Sequence, residues 1–131
     1  MAKIIHSMIR VIDLDKSLTF YKEALDLDIA KRLDFDGFSL VYLRNEENDM
    51  EIELTWNADT EEAYTHGTGY GHIAVAVDDL ELEHKKLTDH GYQPAEIKEF
   101  IRDGQLLAKF FFVQDPDGYK IEFLLRHGHY Q

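Results

Sequence analysis

Cysteine is absent from the 131 residues. Disulfides, thiolate metal sites and a cysteine nucleophile are thereby excluded. The absence fits a reducing compartment. Positive charge is scarce: 14 Lys and Arg stand against 26 Asp and Glu, and the formal net charge is −12. Such a surface repels phosphate backbones and anionic membranes, so no nucleic acid is expected as a partner. An anionic small substrate would need Arg or Lys at its own site. Long apolar runs are missing too. The N-terminal apolar stretch is interrupted by His6 and Arg10 and is neither a signal core nor a membrane span. The expectation is a cytoplasmic enzyme or binding protein with no membrane partner.

What is present is an ordinary globular balance, 44% hydrophobic and 31% charged, in a chain that suits one domain over residues 1–131. The chain also repeats itself. Ile5-His6-Ser7-Met8-Ile9-Arg10-Val11-Ile12-Asp13-Leu14 returns as Gly71-His72-Ile73-Ala74-Val75-Ala76-Val77-Asp78-Asp79-Leu80. With His6 on His72, Val11 falls on Val77, Asp13 on Asp79 and Leu14 on Leu80. Each copy reads as a strand running into an Asp-capped helix.

In the first copy a strand spans residues 3–11. Asp13 or Asp15 caps a helix with Leu14, Leu18, Tyr21 and Leu25 at helical spacing, ending near Asp26. Strands follow at 29–33 and 38–43, around the turn residues Asp36-Gly37, then a polar loop at 45–49. Residues 50–57 alternate, with Ile52, Leu54 and Trp56 on one face and Glu51, Glu53, Thr55 and Asn57 on the other. Residues 58–69 read as a linker with one helical turn at 61–64. In the second copy a strand spans 71–77, and a helix points Leu80 and Leu87 inward before a left-handed Gly91. Strands follow at 92–98, 106–113 and 119–125, the last pair joined by the turn Asp115-Pro116-Asp117-Gly118. Residues 126–131 read as a loose tail. The result is an α+β fold of two tandem βαβββ modules, about 3–57 and 70–125.

The repeat carries the chemistry. Glu51-Ile52-Glu53-Leu54 lies under Lys120-Ile121-Glu122-Phe123, so Glu53 and Glu122 occupy equivalent places. A histidine at a strand start is more often a satisfied polar residue than a ligand, and a glutamate on an alternating strand normally faces solvent. Four such residues at matching places in two copies form one pattern. If the halves are related by a pseudo-twofold axis, His6, Glu53, His72 and Glu122 converge as a His2Glu2 cluster. Imidazole and carboxylate donors without thiolate suit a divalent ion such as Ni, Co, Zn, Mn or Fe.

The segments IIHSMIRVIDLDKSLTFY, EIELTWN, GHIAVAVDDL and DPDGYKIEF together resemble the glyoxalase I family, small bacterial-like type, within the vicinal oxygen chelate superfamily. The resemblance implies a vicinal oxygen chelate fold of paired modules. It also implies a homodimer whose sites each borrow two ligands from each chain. The metal ligands it implies are His6, Glu53, His72 and Glu122, around one divalent ion per site, with Ni or Co favoured and Zn possible. The implied substrate is the hemithioacetal of methylglyoxal and glutathione, isomerised to S-lactoylglutathione. Proton transfer through a metal-bound enediolate is the implied route, with Glu122 as base and Glu53 as a ligand able to assist.

For the substrate, Arg10 lies on the His6 face about 13 Å along the strand, a reach suited to the far carboxylate of glutathione. The resemblance supports Arg10 and Asn57. Ile101-Arg102-Asp103-Gly104 stands where the family has a Lys-Gly-Gly-like turn, and Arg102 is expected to replace the lysine's charge. Asp26 stands where the family favours glycine, and it tolerates the left-handed conformation at modest cost. His66 is read as surface polar, His84 and His90 as solvated, and His127 and His129 as part of the tail. Phe110-Phe111-Phe112 is read as core on one face. Two other function classes stay open. One is a related metalloenzyme: an epimerase, a dioxygenase or a thiol transferase. The other is a metal-free small-molecule-binding module.

Overall fold

The computed structural model describes all 131 residues, which fall into two compact units, Met1–Thr65 and His66–Gln131. The first unit runs β1 (His6–Val11), α1 (Leu14–Leu25), β2 (Asp28–Phe35), β3 (Phe38–Arg44) and β4 (Glu51–Asn57). The second runs β5 (Ile73–Val77), α2 (Leu80–Asp89), β6 (Lys98–Arg102), β7 (Gln105–Gln114) and β8 (Lys120–Leu125). Each unit holds a four-stranded mixed sheet, in the orders β1-β4-β3-β2 and β5-β8-β7-β6. The opening strand pairs in parallel with the closing strand, and the other pairs are antiparallel. The βαβββ pattern and the α+β class expected from the repeat are both present.

The same residue opens both helices. Asp13 and Asp79 sit in extended backbone, and each carboxylate accepts an N–H three residues on, Lys16 at 3.1 Å and Leu82 at 3.0 Å. The helices end differently. Asp26 closes α1 at φ 54°, the left-handed conformation anticipated for it, and its carboxylate takes the Lys22 ammonium at 2.8 Å. In α2, Gly91 at φ 88° follows the His90 cap and donates to the Thr88 carbonyl.

Each sheet buries one face and leaves the other for chemistry. In the first unit Ile9, Val11, Val41, Leu43, Ile52 and Leu54 alternate inward and are buried, as are Phe20 and Tyr21 of α1. In the second, Phe111, Val113, Ile121 and Phe123 are buried, as are Leu80 and Leu87, the pair expected to point inward from α2. The buried stripe of α1 is turned relative to expectation. It runs Leu14, Ser17, Tyr21 and Ala24, with Phe20 beside it, while Leu18 and Leu25 are only half-buried. Ser17 and Ala24 are small enough to sit under the sheet, which a count of large apolar residues misses.

Other expectations need correction. β1 begins at His6 and not at residue 3, because its partner β4 begins opposite, at Glu51. His72 immediately precedes β5 and does not lie within it. Residues 61–64 form no helical turn. The strand placed at 92–98 lies at Lys98–Arg102. Pro94 has no N–H to give a ladder, and of the backbone bonds there only Ala95 N–H to the Phe112 carbonyl, at 2.7 Å, ties the segment to β7. The β6–β7 hairpin then turns on Asp103-Gly104, both at positive φ (52° and 75°), as a two-residue turn of the favoured twist requires. The tail is held, not loose: His127 Nε2 meets the Leu106 carbonyl at 2.9 Å, and Arg126 pairs with Asp78 at 3.0 Å.

Candidate metal centre

Register places the chemistry. In the first unit Glu53 stands opposite Met8, two residues past His6. In the second, Glu122 stands opposite Ala74, two residues past His72. Side chains two apart on a strand share a face, so each carboxylate lies diagonally across a parallel pair from its histidine. The contacts follow: His6 Nε2 to Glu53 Oε1 is 3.1 Å, and His72 Nε2 to Glu122 Oε1 is 3.3 Å. The carboxylates are well covered, with side-chain exposures of 10% and 16%, while the imidazoles are 35% and 42% exposed. Coverage of Glu53 departs from the solvent-facing norm for its strand pattern. The aromatic residue directly opposite each glutamate supplies part of it.

That aromatic is Tyr42 opposite Glu53 and Phe112 opposite Glu122. Each ring stands edge-on to its histidine: Tyr42 to His6 at 5.7 Å and 70°, Phe112 to His72 at 5.3 Å and 80°. Tyr42 adds a phenol on the strand opposite Glu53, and burial first, then the charge of that carboxylate, hold the phenol above its ordinary range. Thr55 Oγ1 also donates to Glu53 Oε2, at 3.3 Å. Neither Tyr42 nor Thr55 is singled out by composition or motif. Laying the two repeats on one another puts Tyr42 on Phe112, and that comparison is the signal that finds it. Phe112 is half-buried on the histidine face, whereas Phe111 is core.

The donor set suits a divalent ion. Each unit brings one imidazole nitrogen and one carboxylate oxygen together, the donor types that bind such ions without thiolate. Within neither unit does a third His, Asp or Glu join the pair. A cavity of about 450 Å³ opens beside His6, among Lys31, Leu33, Tyr42 and Arg44. In the second unit one of about 680 Å³ is lined by Gln93, Phe112, Gln114 and Lys120. A larger hollow of about 1060 Å³ lies by Lys22, Asp26 and Asn48, with no histidine in its lining.

The remaining candidate residues are spread out. Arg10 is exposed on β1 opposite Thr55. Asn57 ends β4 and donates to the Tyr64 hydroxyl at 3.4 Å. Arg102 is exposed at the end of β6, just before the Asp103-Gly104 turn. Three histidines differ from expectation. His66 is half-buried and packed: its ring stacks on Tyr119 at 4.2 Å, and its Nε2 is buried without a partner. His84 is not simply solvated, because its Nε2 meets the Ala95 carbonyl at 3.0 Å and its ring packs against Phe111. His127 is bonded as described above.

Residues 3–123 match the Glyoxalase/Bleomycin resistance protein/Dioxygenase superfamily. Lactoylglutathione lyase of Haemophilus influenzae is 36% identical over 126 residues, covering 93% of this chain and 91% of the relative. A probable lactoylglutathione lyase of Synechocystis is 38% identical over 125 residues, covering 92% and 93%. Among solved structures, the trypanothione-dependent glyoxalase I of Leishmania major superposes with a TM-score of 0.75 at 35% identity, covering 95% of this chain and 87% of that one.

Proposed function

This chain belongs to the Glyoxalase/Bleomycin resistance protein/Dioxygenase superfamily, and from that premise we propose that it is a lactoylglutathione lyase, converting the hemithioacetal of methylglyoxal and glutathione into S-lactoylglutathione. The observation that carries the reading is the His–Glu pair formed twice, in the same register, in both halves of the chain. Relatives bearing that name match this chain over more than nine-tenths of its length. A metal-free binding module has no need of two such pairs.

His6, Glu53, His72 and Glu122 would hold one divalent ion, with Ni or Co favoured and Zn possible. When bound, the ion supplies Lewis-acid polarisation of two neighbouring substrate oxygens. Each pair offers only two donors, so we take the working protein as a homodimer whose sites each combine one pair from each copy. The two repeats, about 3–57 and 70–125 with linker 58–69, then act as one domain.

The reaction moves a proton between adjacent carbons. The carbon bearing the sulfur and hydroxyl loses its proton, the neighbouring carbonyl carbon receives one, and the hydroxyl proton passes to the former carbonyl oxygen, so the first carbon ends as the thioester carbonyl and the second as a carbinol. Glu122 takes the first proton and returns it one carbon along, a carboxylate serving as base and then as acid. Glu53 holds its place beside it. Arg10, Asn57 and Arg102 receive the glutathione part. With a net charge of −12, local cations must offset the general repulsion felt by an anionic thiol. No helix is long and apolar enough to cross a membrane, and the cysteine-free composition suits the cytoplasm as the compartment.

The test is to strip the protein of metal, restore Ni, Co, Zn and Mn separately, and follow thioester formation from methylglyoxal and glutathione. Turnover restored by Ni or Co supports the reading. No thioester with any ion sinks it.

A further inference from the structure

The substrate proposed above has two ends, and the first unit offers them different surroundings. Arg10 lies four residues past His6 on β1, and Asn57 four past Glu53 on β4, so both stand toward the same end of this parallel pair. The glutathione part is assigned to that end. The cavity of about 450 Å³ opens at the other end, where Ile5 precedes β1, Glu51 opens β4 and Arg44 closes β3. A substrate centred on the His6–Glu53 pair, with its thiol part toward Arg10, therefore sends the substituent of its aldehyde part toward the cavity.

A bulge decides what β2 presents there. Ile29 pairs with Leu43 and Lys31 with Tyr42, so Ala30 is the extra residue. Side chains alternate along a strand, and without that extra residue Ala30 would stand opposite Tyr42. The bulge instead brings Lys31 onto the face of Tyr42 and Glu53. Met8, Glu53, Tyr42 and Lys31 then form one row across the four strands. Lys31 is two strands from Glu53, about 10 Å, much of which a flexible four-carbon stem can cover. The neighbouring charges are already matched: Arg44 with Glu51 at 3.7 Å, and Asp28 with Lys22 at 2.8 Å. Lys31 is exposed and belongs to none of the ion pairs of this unit. In the second unit β6 begins at Lys98, opposite Phe110, so the matching row stops at Phe112.

We propose that Lys31 is a specificity-determining residue, and that the cavity beside His6 selects 2-oxoaldehydes whose carbon chain ends in a carboxylate over neutral chains of the same length. The proposal rests on the lyase reading above and extends it from methylglyoxal to a class of anionic substrates. On a chain of net charge −12 an anionic substituent meets general repulsion. An ammonium without a carboxylate partner, on the same face as the His–Glu pair, reverses that locally. Leu33, two residues along β2 on the same face, and the Tyr42 ring supply apolar wall for the carbon stem. The proton transfer is unaltered, since the substituent keeps all its bonds throughout.

The test compares 4,5-dioxopentanoate with its neutral counterpart 2-oxopentanal, each with glutathione and the Ni²⁺-loaded protein. Wild type should show the larger kcat/KM for the carboxylate. A charge-assisted contact is worth about 10-fold at the lower end of its range, the end that suits an exposed lysine. Lys31→Met should therefore lower kcat/KM for 4,5-dioxopentanoate about 10-fold and leave that for 2-oxopentanal unchanged. Lys31→Arg should keep the preference. Titration calorimetry with two stable thioethers, S-(4-carboxybutyl)glutathione and S-pentylglutathione, reads the same selectivity without turnover. A wild-type preference for the neutral compounds would overturn the proposal, as would unchanged selectivity in Lys31→Met. Equal losses on both compounds in Lys31→Met would overturn it too, because Lys31 would then serve the thiol part or the fold. A wild type that forms no thioester from either oxoaldehyde would end the lyase reading, while a carboxylate preference in calorimetry that Lys31→Met abolishes would still support the selectivity of the cavity.

Discussion

Truncating Phe111 tests whether the second unit's core holds the histidine face in place. Phe111 is 1% exposed. Its ring stacks on Phe123 at 4.8 Å with 9° between planes, and His84 meets it edge-on at 5.1 Å. Its neighbour Phe112 points to the other face, beside His72. Phe111→Ala should cost about 3 to 5 kcal/mol, from lost burial and the cavity left behind. Of this, about 0.5 to 1.5 kcal/mol belongs to the stacked pair, and a double-mutant cycle with Phe123→Leu isolates it. For a chain of 131 residues unfolding as one cooperative system, about 2.1 cal/mol/K per residue gives an unfolding entropy of about 0.28 kcal/mol/K. The loss then lowers Tm by about 11 to 18 °C. Far-UV circular dichroism on heating, and in urea, reads both quantities. A loss below about 1 kcal/mol would mean that Phe111 is not the buried anchor described, and the reasoning would fail.

Glu122→Gln should keep its metal and lose about 10²- to 10⁴-fold in kcat, the usual contribution of a positioned base; near-full turnover would remove Glu122 from that role. Arg10→Ala should raise KM for the thiol adduct while kcat changes little, and an unchanged KM would make Arg10 a bystander. Burial, then the Asp115 and Tyr119 charges, push the Tyr70 phenol up to about 12, against about 10 in an unfolded chain. The fold therefore favours the neutral phenol. The stability this contributes is full below pH about 10 and is lost as pH rises toward 12. Denaturant midpoints across that window should fall less steeply in Tyr70→Phe, and parallel declines would contradict the assignment.

Much of the fold could be read from residues because the repeat is strict where backbone geometry is strict. Asp13 and Asp79 cap, Leu14 and Leu80 bury, and the strand alternation around Ile52 and Leu54 survives in the structure. The errors have a common source. The strand at 92–98 was inferred from local composition, whereas Pro94 and the Asp103-Gly104 turn decide where the ladder starts. His66, His84 and His127 owe their places to partners in other segments: Tyr119, Ala95 and Leu106. No local pattern announces such contacts. The His–Glu pairs were legible as equivalent positions, and the cross-strand register explains why they touch. The asymmetry around the two glutamates was not legible, since it needs the pairing of Tyr42 with Glu53 and of Phe112 with Glu122.

The central claim is that the two His–Glu pairs make one site, each pair from a different copy of the chain. Co-refolding His6→Ala with His72→Ala tests it directly. Each variant alone should be inactive. In a mixed homodimer one site carries both lesions and the other carries neither. Random pairing makes about half of the dimers mixed, each with one intact site of two, so about a quarter of wild-type turnover should return. A mixture that stays as inactive as its parents, with dimers formed, would contradict the shared site.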